Sequence, residues 1–102
     1  VIEVRYHMKR HELSATGHAG FAEEGQGDIV CSAVTALMLT AAEFARHNGD
    51  AEIREEKGDI YVRCLCLPRW DAPVSLVFNA IAAGLLRVAQ AHPDNVKFER
   101  YA

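Results

Sequence analysis

Cys31 and His18 are the two residues whose types and placement suggest chemistry. Asp28 stands three residues before Cys31 and has the character of a helix N-cap. With Asp28 as the cap, Cys31 becomes the third residue of the helix. Unpaired backbone N–H groups and the positive end of the helix dipole both lie there. That setting lowers a thiol pKa and favours thiolate, the nucleophilic form. The same N–H groups could steady an oxyanion during acyl transfer. A packed structural cysteine on an apolar helix is the competing reading. His18 follows a predicted strand and opens a glycine-rich stretch that ends at the helix start. The two ends of such a stretch can be close in space. A His beside a low-pKa Cys is the minimal nucleophile and general-base pair. A solvated loop histidine is the competing reading of His18.

Other polar residues surround this pair in sequence. Asp28 could orient the imidazole as a third member besides capping the helix. Thr35 lies one turn after Cys31 on the same helix face. Its hydroxyl either touches the site or bonds the carbonyl one turn back. Glu23 and Glu24 are plain solvated charges or a means of attracting a basic peptide. His7 and His11 read as strand-edge residues, and His47 and His92 lie near helix ends; all four read as surface or dipole-friendly positions.

The remaining cysteines point away from metal and disulfide chemistry. Cys64 and Cys66 lie two apart, which puts them on one face of a strand. Without a matching Cys/His pair they do not make a zinc site, so no metal is expected. Free Cys behaves as a small buried hydrophobe, and core filling is the plain reading of both. Three cysteines are an odd count with no disulfide-like framework, which argues for a reducing compartment.

The elements that must hold the pair are legible in the patterning. Ile2 to Met8 alternates, and His11 to His18 carries a weaker strand signal, with Lys9-Arg10 turning between them. Gly17 to Gly27 holds four glycines, Gly17, Gly20, Gly25 and Gly27, and reads as a loop. A helix is expected from Ile29 to about His47, stopped at Asn48-Gly49. Its apolar residues run nearly all round, so it must be covered on more than one side. Ala51–Glu56 and Asp59–Leu67 read as a hairpin around Lys57-Gly58. After a break from Pro68 to Pro73, a second helix runs to Ala91, with Ala80, Ala83 and Gly84 as a small-residue packing face. Asn95–Tyr101 reads as a last strand. The order ββαββαβ implies an α+β two-layer sandwich, an antiparallel or mixed sheet with two long helices on one face.

Composition sets the outer bounds. The chain has 102 residues, half of them apolar and a quarter charged, which suits one compact domain over 1–102. A domain this small gains from burying more surface as a dimer. The net charge of −3 and the lack of a clustered Lys/Arg stripe argue against nucleic acid as the main partner. The start, Val1-Ile2-Glu3-Val4-Arg5, has no secretory character, and no apolar run is expected to reach a membrane span.

The stretch Gly17-His18-Ala19-Gly20-Phe21-Ala22, followed by Gly27-Asp28-Ile29-Val30-Cys31-Ser32-Ala33-Val34, resembles the ribosomal-processing cysteine proteases called Prp. The sharpest likeness runs from Gly17 to Leu37. The resemblance implies His18 as base and Cys31 as nucleophile, with the glycine loop (Gly17, Gly20, Glu23, Glu24, Gly25, Gly27) admitting a peptide. It also implies a substrate: the short N-terminal extension of a large-subunit ribosomal protein, the twenty-seventh of its series. A homodimer, a cytoplasmic location and no cofactor come with it. Thr35 stands where the pattern leads one to expect Ser, and the loop from His18 to Cys31 is about one residue longer than the pattern leads one to expect. Two other functions compete. One is a non-catalytic ribosome-associated module that clamps a basic ribosomal-protein tail. The other is a thiol redox protein using Cys31, Cys64 and Cys66, which lacks a C-x-x-C motif.

Overall fold

The computed structural model describes residues 1–18 and 28–102. The order is β1 (Ile2–His7), β2 (Glu12–Gly17), α1 (Ile29–Asn48), β3 (Asp50–Glu56), β4 (Asp59–Leu65), α2 (Asp71–Ala91) and β5 (Val96–Tyr101). Short 3-10 turns at Met8–Arg10 and Pro68–Trp70 join β1 to β2 and lead into α2. The five strands form one sheet in the order β3-β4-β2-β1-β5. Only β1 and β5 run parallel; the other pairings are antiparallel. The sheet is mixed, as expected, and both helices lie over one face.

Strand periodicity explains which face they cover. Ile2, Val4 and Tyr6 on β1, Leu13 and Ala15 on β2, Ile60, Val62 and Cys64 on β4, and Val96 on β5 are all buried. They meet Val30, Val34, Met38, Ala41 and Ala45 of α1, and Val74, Phe78, Ala82 and Leu85 of α2, in one core. The opposite face is polar. Glu52, Arg63, Glu12, His7 and Tyr101 stand in register across all five strands. The His7 and Tyr101 rings stack there at 4.6 Å.

Tyr6 is the largest fully buried side chain and donates its hydroxyl to Asn79 Oδ1 at 2.5 Å. Burial pushes its phenol up from the ordinary 10.0, against a lowering pull from Arg100. A phenol whose folded pKa is raised stabilises the fold below the unfolded value and loses that contribution as pH rises through the folded one. Urea unfolding should therefore show stability falling above about pH 10, and Tyr6→Phe should flatten that fall.

Several local expectations are corrected. The second helix starts at Asp71 rather than Pro73, because Pro68–Trp70 first forms a 3-10 turn. Pro73 still sits in the first turn of α2, where its missing N–H leaves nothing unpaired. Gly49 does end α1, but with an extended backbone (φ −179°) in place of the usual left-handed stop. It is needed for closeness: a Cβ there would lie 2.8 Å from Leu65 O and 3.0 Å from Cys64 Sγ. Asn48 instead caps with its side chain, donating to Phe44 O at 2.9 Å. Of the expected packing face on α2, only Gly84 serves, its Cα facing the Leu37 methyls. Ala80 and Ala83 are exposed. Both Ile29–Asn48 and Pro68–Ala91 prove long and apolar enough to cross a membrane by length and composition, contrary to the reading of the apolar runs. Each lays a buried stripe on the sheet and the other helix.

His11 departs furthest from expectation. It is a turn residue in the left-handed region (φ 50°), and it is 4% exposed. The 3-10 turn at Met8–Arg10 swings the chain inward, and His11 becomes the one buried polar residue among the described residues.

Candidate active site

The site begins at the N-terminus of α1. Asp28 has an extended backbone and its Oδ1 accepts from the N–H of Val30 and of Cys31, both at 3.0 Å. Its carbonyl takes the Ser32 N–H at 3.0 Å. The N-cap expectation holds, and Cys31 is the third helical residue. The same contacts alter the oxyanion expectation. The Cys31 N–H is already engaged by Asp28, so it can reach an oxyanion only if Asp28 lets go. Asp28→Ala should lower stability by about 1 kcal/mol, a Tm drop of about 4–8 °C measurable by thermal unfolding.

His18 arrives from the other side, at the end of β2. Gly17, with φ 100°, donates its N–H to Gly58 O at 2.8 Å, which fastens the end of β2 to the β3–β4 turn. Gly58 has φ 77° and lies beneath the imidazole. A Cβ on Gly58 would sit 3.1 Å from His18 Nε2 and 3.4 Å from Cε1. The turn glycine thus forms part of the surface on which His18 rests.

His18 and Cys31 line one cavity of about 200 Å³. Its walls include Ile2, Ala15 and Ile60 from the sheet and Val34 and Thr35 from α1. The apolar walls suit a side chain of a bound peptide, and the Cys–His pair sits at the same opening. Of the two readings of Thr35, the structure places it on the cavity wall. Its hydroxyl does not make the back-bond to the preceding turn that Thr40 makes to Ala36 O (2.7 Å), among the described residues. Gly20, Glu23, Glu24, Gly25 and Gly27 lie outside the described residues, so their part in the site stays an expectation. Among the described residues no group of His, Cys, Asp and Glu could hold a metal.

A model of the family described as cysteine protease Prp matches residues 1–97. The chain belongs to the Prp family of cysteine proteases. A ribosomal processing cysteine protease Prp of Mycoplasma pneumoniae is 29% identical over 96 residues, covering 94% of this chain and 93% of its own. The fold matches Prp from S. aureus bearing a covalently linked product peptide (TM-score 0.80, 17% identity, 98% and 99% of the two chains). It also matches the same protease with a substrate peptide (TM-score 0.76, 16% identity, 98% and 99%). SMU.848 from Streptococcus mutans shares the fold at a TM-score of 0.68 and 23% identity, over 98% and 91% of the chains.

Within a Prp protease, the residues that sequence reading overlooked become informative. Gly58 and Asp59 read only as a hairpin turn and strand start, and Ile2, Ala15 and Ile60 only as strand residues. The cue for Gly58 was the turn itself: a positive-φ glycine opposite Gly17 is the contact that brings β4 to His18. Gly58→Ala should force the ring aside and strain the backbone. The expected result is a roughly 10-fold or larger loss of kcat, consistent with the sensitivity of catalysis to misplacement by about 1 Å. Peptidase assays alongside thermal unfolding would check that activity falls further than stability.

Proposed function

We propose that this Prp-family protease removes the N-terminal extension of the twenty-seventh large-subunit ribosomal protein, with Cys31 as nucleophile and His18 as base. The observation that carries the reading is that Cys31, at a helix start, and His18, at a strand end, line one cavity of a size for a peptide side chain. In this reading His18 takes the Cys31 proton and the thiolate attacks the scissile carbonyl. The protonated imidazole then gives its proton to the departing amine, and water hydrolyses the thioester. First-turn N–H groups of α1 would hold the oxyanion, with Asp28 yielding the Cys31 N–H as charge develops. The chemistry is complete with these side chains and needs no cofactor. Thr35, at the mouth of the cavity, would contact the peptide.

The setting we propose is cytoplasmic, with the substrate protein rather than nucleic acid or a membrane as the direct partner. Three reduced cysteines and a mild negative charge suit it. We further propose a homodimer: a chain of 102 residues gains from burying more surface, and exposed Leu76 on α2 offers an apolar side chain for a second copy to cover. Sedimentation equilibrium tests that state.

The deciding experiment incubates the protein with the extended ribosomal protein and follows the substrate by intact mass. Loss of the extension by the native chain, and none by Cys31→Ala, supports the reading. Equal cleavage by both sinks the assignment of the nucleophile. A stable complex with no cleavage by either favours the clamp that binds a basic tail.

A further inference from the structure

Buried His11 has no part in cleavage, and its surroundings are those of a second thiol site. It stands at the start of β2, beside the end of β4. The cavity shared by His18 and Cys31 lies at the other end of β4, about 20 Å away at 3.2–3.4 Å per residue. His11 Nε2 lies 2.9 Å from Ser75 Oγ and 3.4 Å from Asp71 Oδ1. Its Nδ1 lies 3.9 Å from Cys66 Sγ. Carboxylate Asp71 can only accept, so these partners place the ring proton on Nε2 and leave Nδ1 to receive a proton from sulfur. Thiol, imidazole and carboxylate then stand in line as nucleophile, base and orienting group.

Two further observations bear on what this group does. Cys66 is part-exposed and opens onto a cavity of about 380 Å³, walled by Asn48, Asp50, Leu65, Leu67 and Trp70. Cys64, by contrast, is 1% exposed. Burial, with the Asp71 charge adding to it, pushes the Cys66 thiol up. Cys66 therefore rests as a neutral thiol and needs a base at the moment of attack, a role for which His11 is placed.

We infer that Cys66 is a second reactive thiol, served by His11, that takes a low-molecular-weight disulfide from the adjoining cavity to form a mixed disulfide. His11 Nδ1 accepts the Cys66 proton as the sulfur attacks one sulfur of the disulfide. The disulfide bond breaks, and the departing thiolate leaves with the proton from His11. Cys66 is oxidised to the mixed disulfide, and the other half of the reagent is reduced to free thiol. The inference is independent of the cleavage reading.

The test uses the full chain carrying Cys31→Ala, exposed to oxidised glutathione at neutral pH. Intact mass gives the rate, fragmentation locates the adduct, and fluorescence of Trp70, the single tryptophan, reports filling of the cavity. One glutathionyl group at Cys66 is expected, forming at least 10-fold faster than on the urea-unfolded chain. His11→Asn, chosen because Asn tolerates the left-handed backbone, should slow the reaction at least 5-fold. Asp71→Asn alters a side chain that is 64% exposed, so the fold should persist, with the rate falling about 2-fold or more through loss of its orienting charge. An unchanged rate in Asp71→Asn and His11→Asn, a folded chain no faster than the unfolded one, or a Cys64–Cys66 disulfide in place of the adduct would each overturn the inference.

Discussion

Cys31→Ala should leave a folded protein that cleaves at least roughly 10⁴-fold more slowly, since deleting the nucleophile of a covalent mechanism removes its central step. The side chain is partly exposed and packs only against the margin of the core. Its loss leaves a small gap at a cavity already open, so the stability change should stay near 1 kcal/mol or below. Activity and stability thus separate widely at this position. A single-turnover assay by mass, run beside a urea titration, measures both. A variant that loses activity only because it unfolds would show the two falling together, and that outcome would refute the catalytic assignment.

Gly17→Ala should do the reverse and act on the fold first. Gly17 has φ 100°, a conformation that L side chains rarely adopt, and a Cβ there would come within 2.3 Å of the Val1 carbonyl oxygen. Backbone strain of this kind costs about 1–3 kcal/mol, and the clash with main chain adds to it. A loss of about 2–4 kcal/mol is expected, or a Tm lower by roughly 10 °C or more. The Gly17–Gly58 hydrogen bond should weaken at the same time, and His18 with it. Calorimetry checks the first effect. Peptidase activity well below the folded fraction checks the second.

The pattern of the chain carried much of this. Period-two alternation at Ile2, Val4 and Tyr6 and the cap at Asp28 are local signals, and the structure places the corresponding elements within about two residues of where they were read. Cys31 and His18 can be singled out for a related reason, while their pairing as nucleophile and base is what the family resemblance implies. Each sits at an element end, one after a strand and one after a cap, and such ends face each other across a connecting loop. What stayed hidden depends on contacts far apart in sequence. His11 reads as a surface strand-edge residue because nothing local shows that Ser75 and Asp71 of α2 close over it. Gly58 looked like any hairpin glycine because its pairing with Gly17 exists only once β2 and β4 are neighbours. Gly49 ends the helix as the Asn-Gly pair implies, but the demand for glycine comes from Leu65 across the sheet, which no local pattern shows.

The parallel pairing of β1 with β5 bears on how the chain reaches this form during synthesis. β2 can zip onto β1 early, through contacts close in sequence. The outer side of β1 then waits for Val96–Tyr101, which emerge from the ribosome after both helices. Until that happens the nascent chain shows a bare strand edge carrying Ile2, Val4 and Tyr6, the sort of edge that recruits other chains. Ile2 also walls the cavity beside Cys31. Maturation of the thiol's surroundings is thereby tied to arrival of the last strand, and a translation product stopped short of β5 is expected to be sticky and idle.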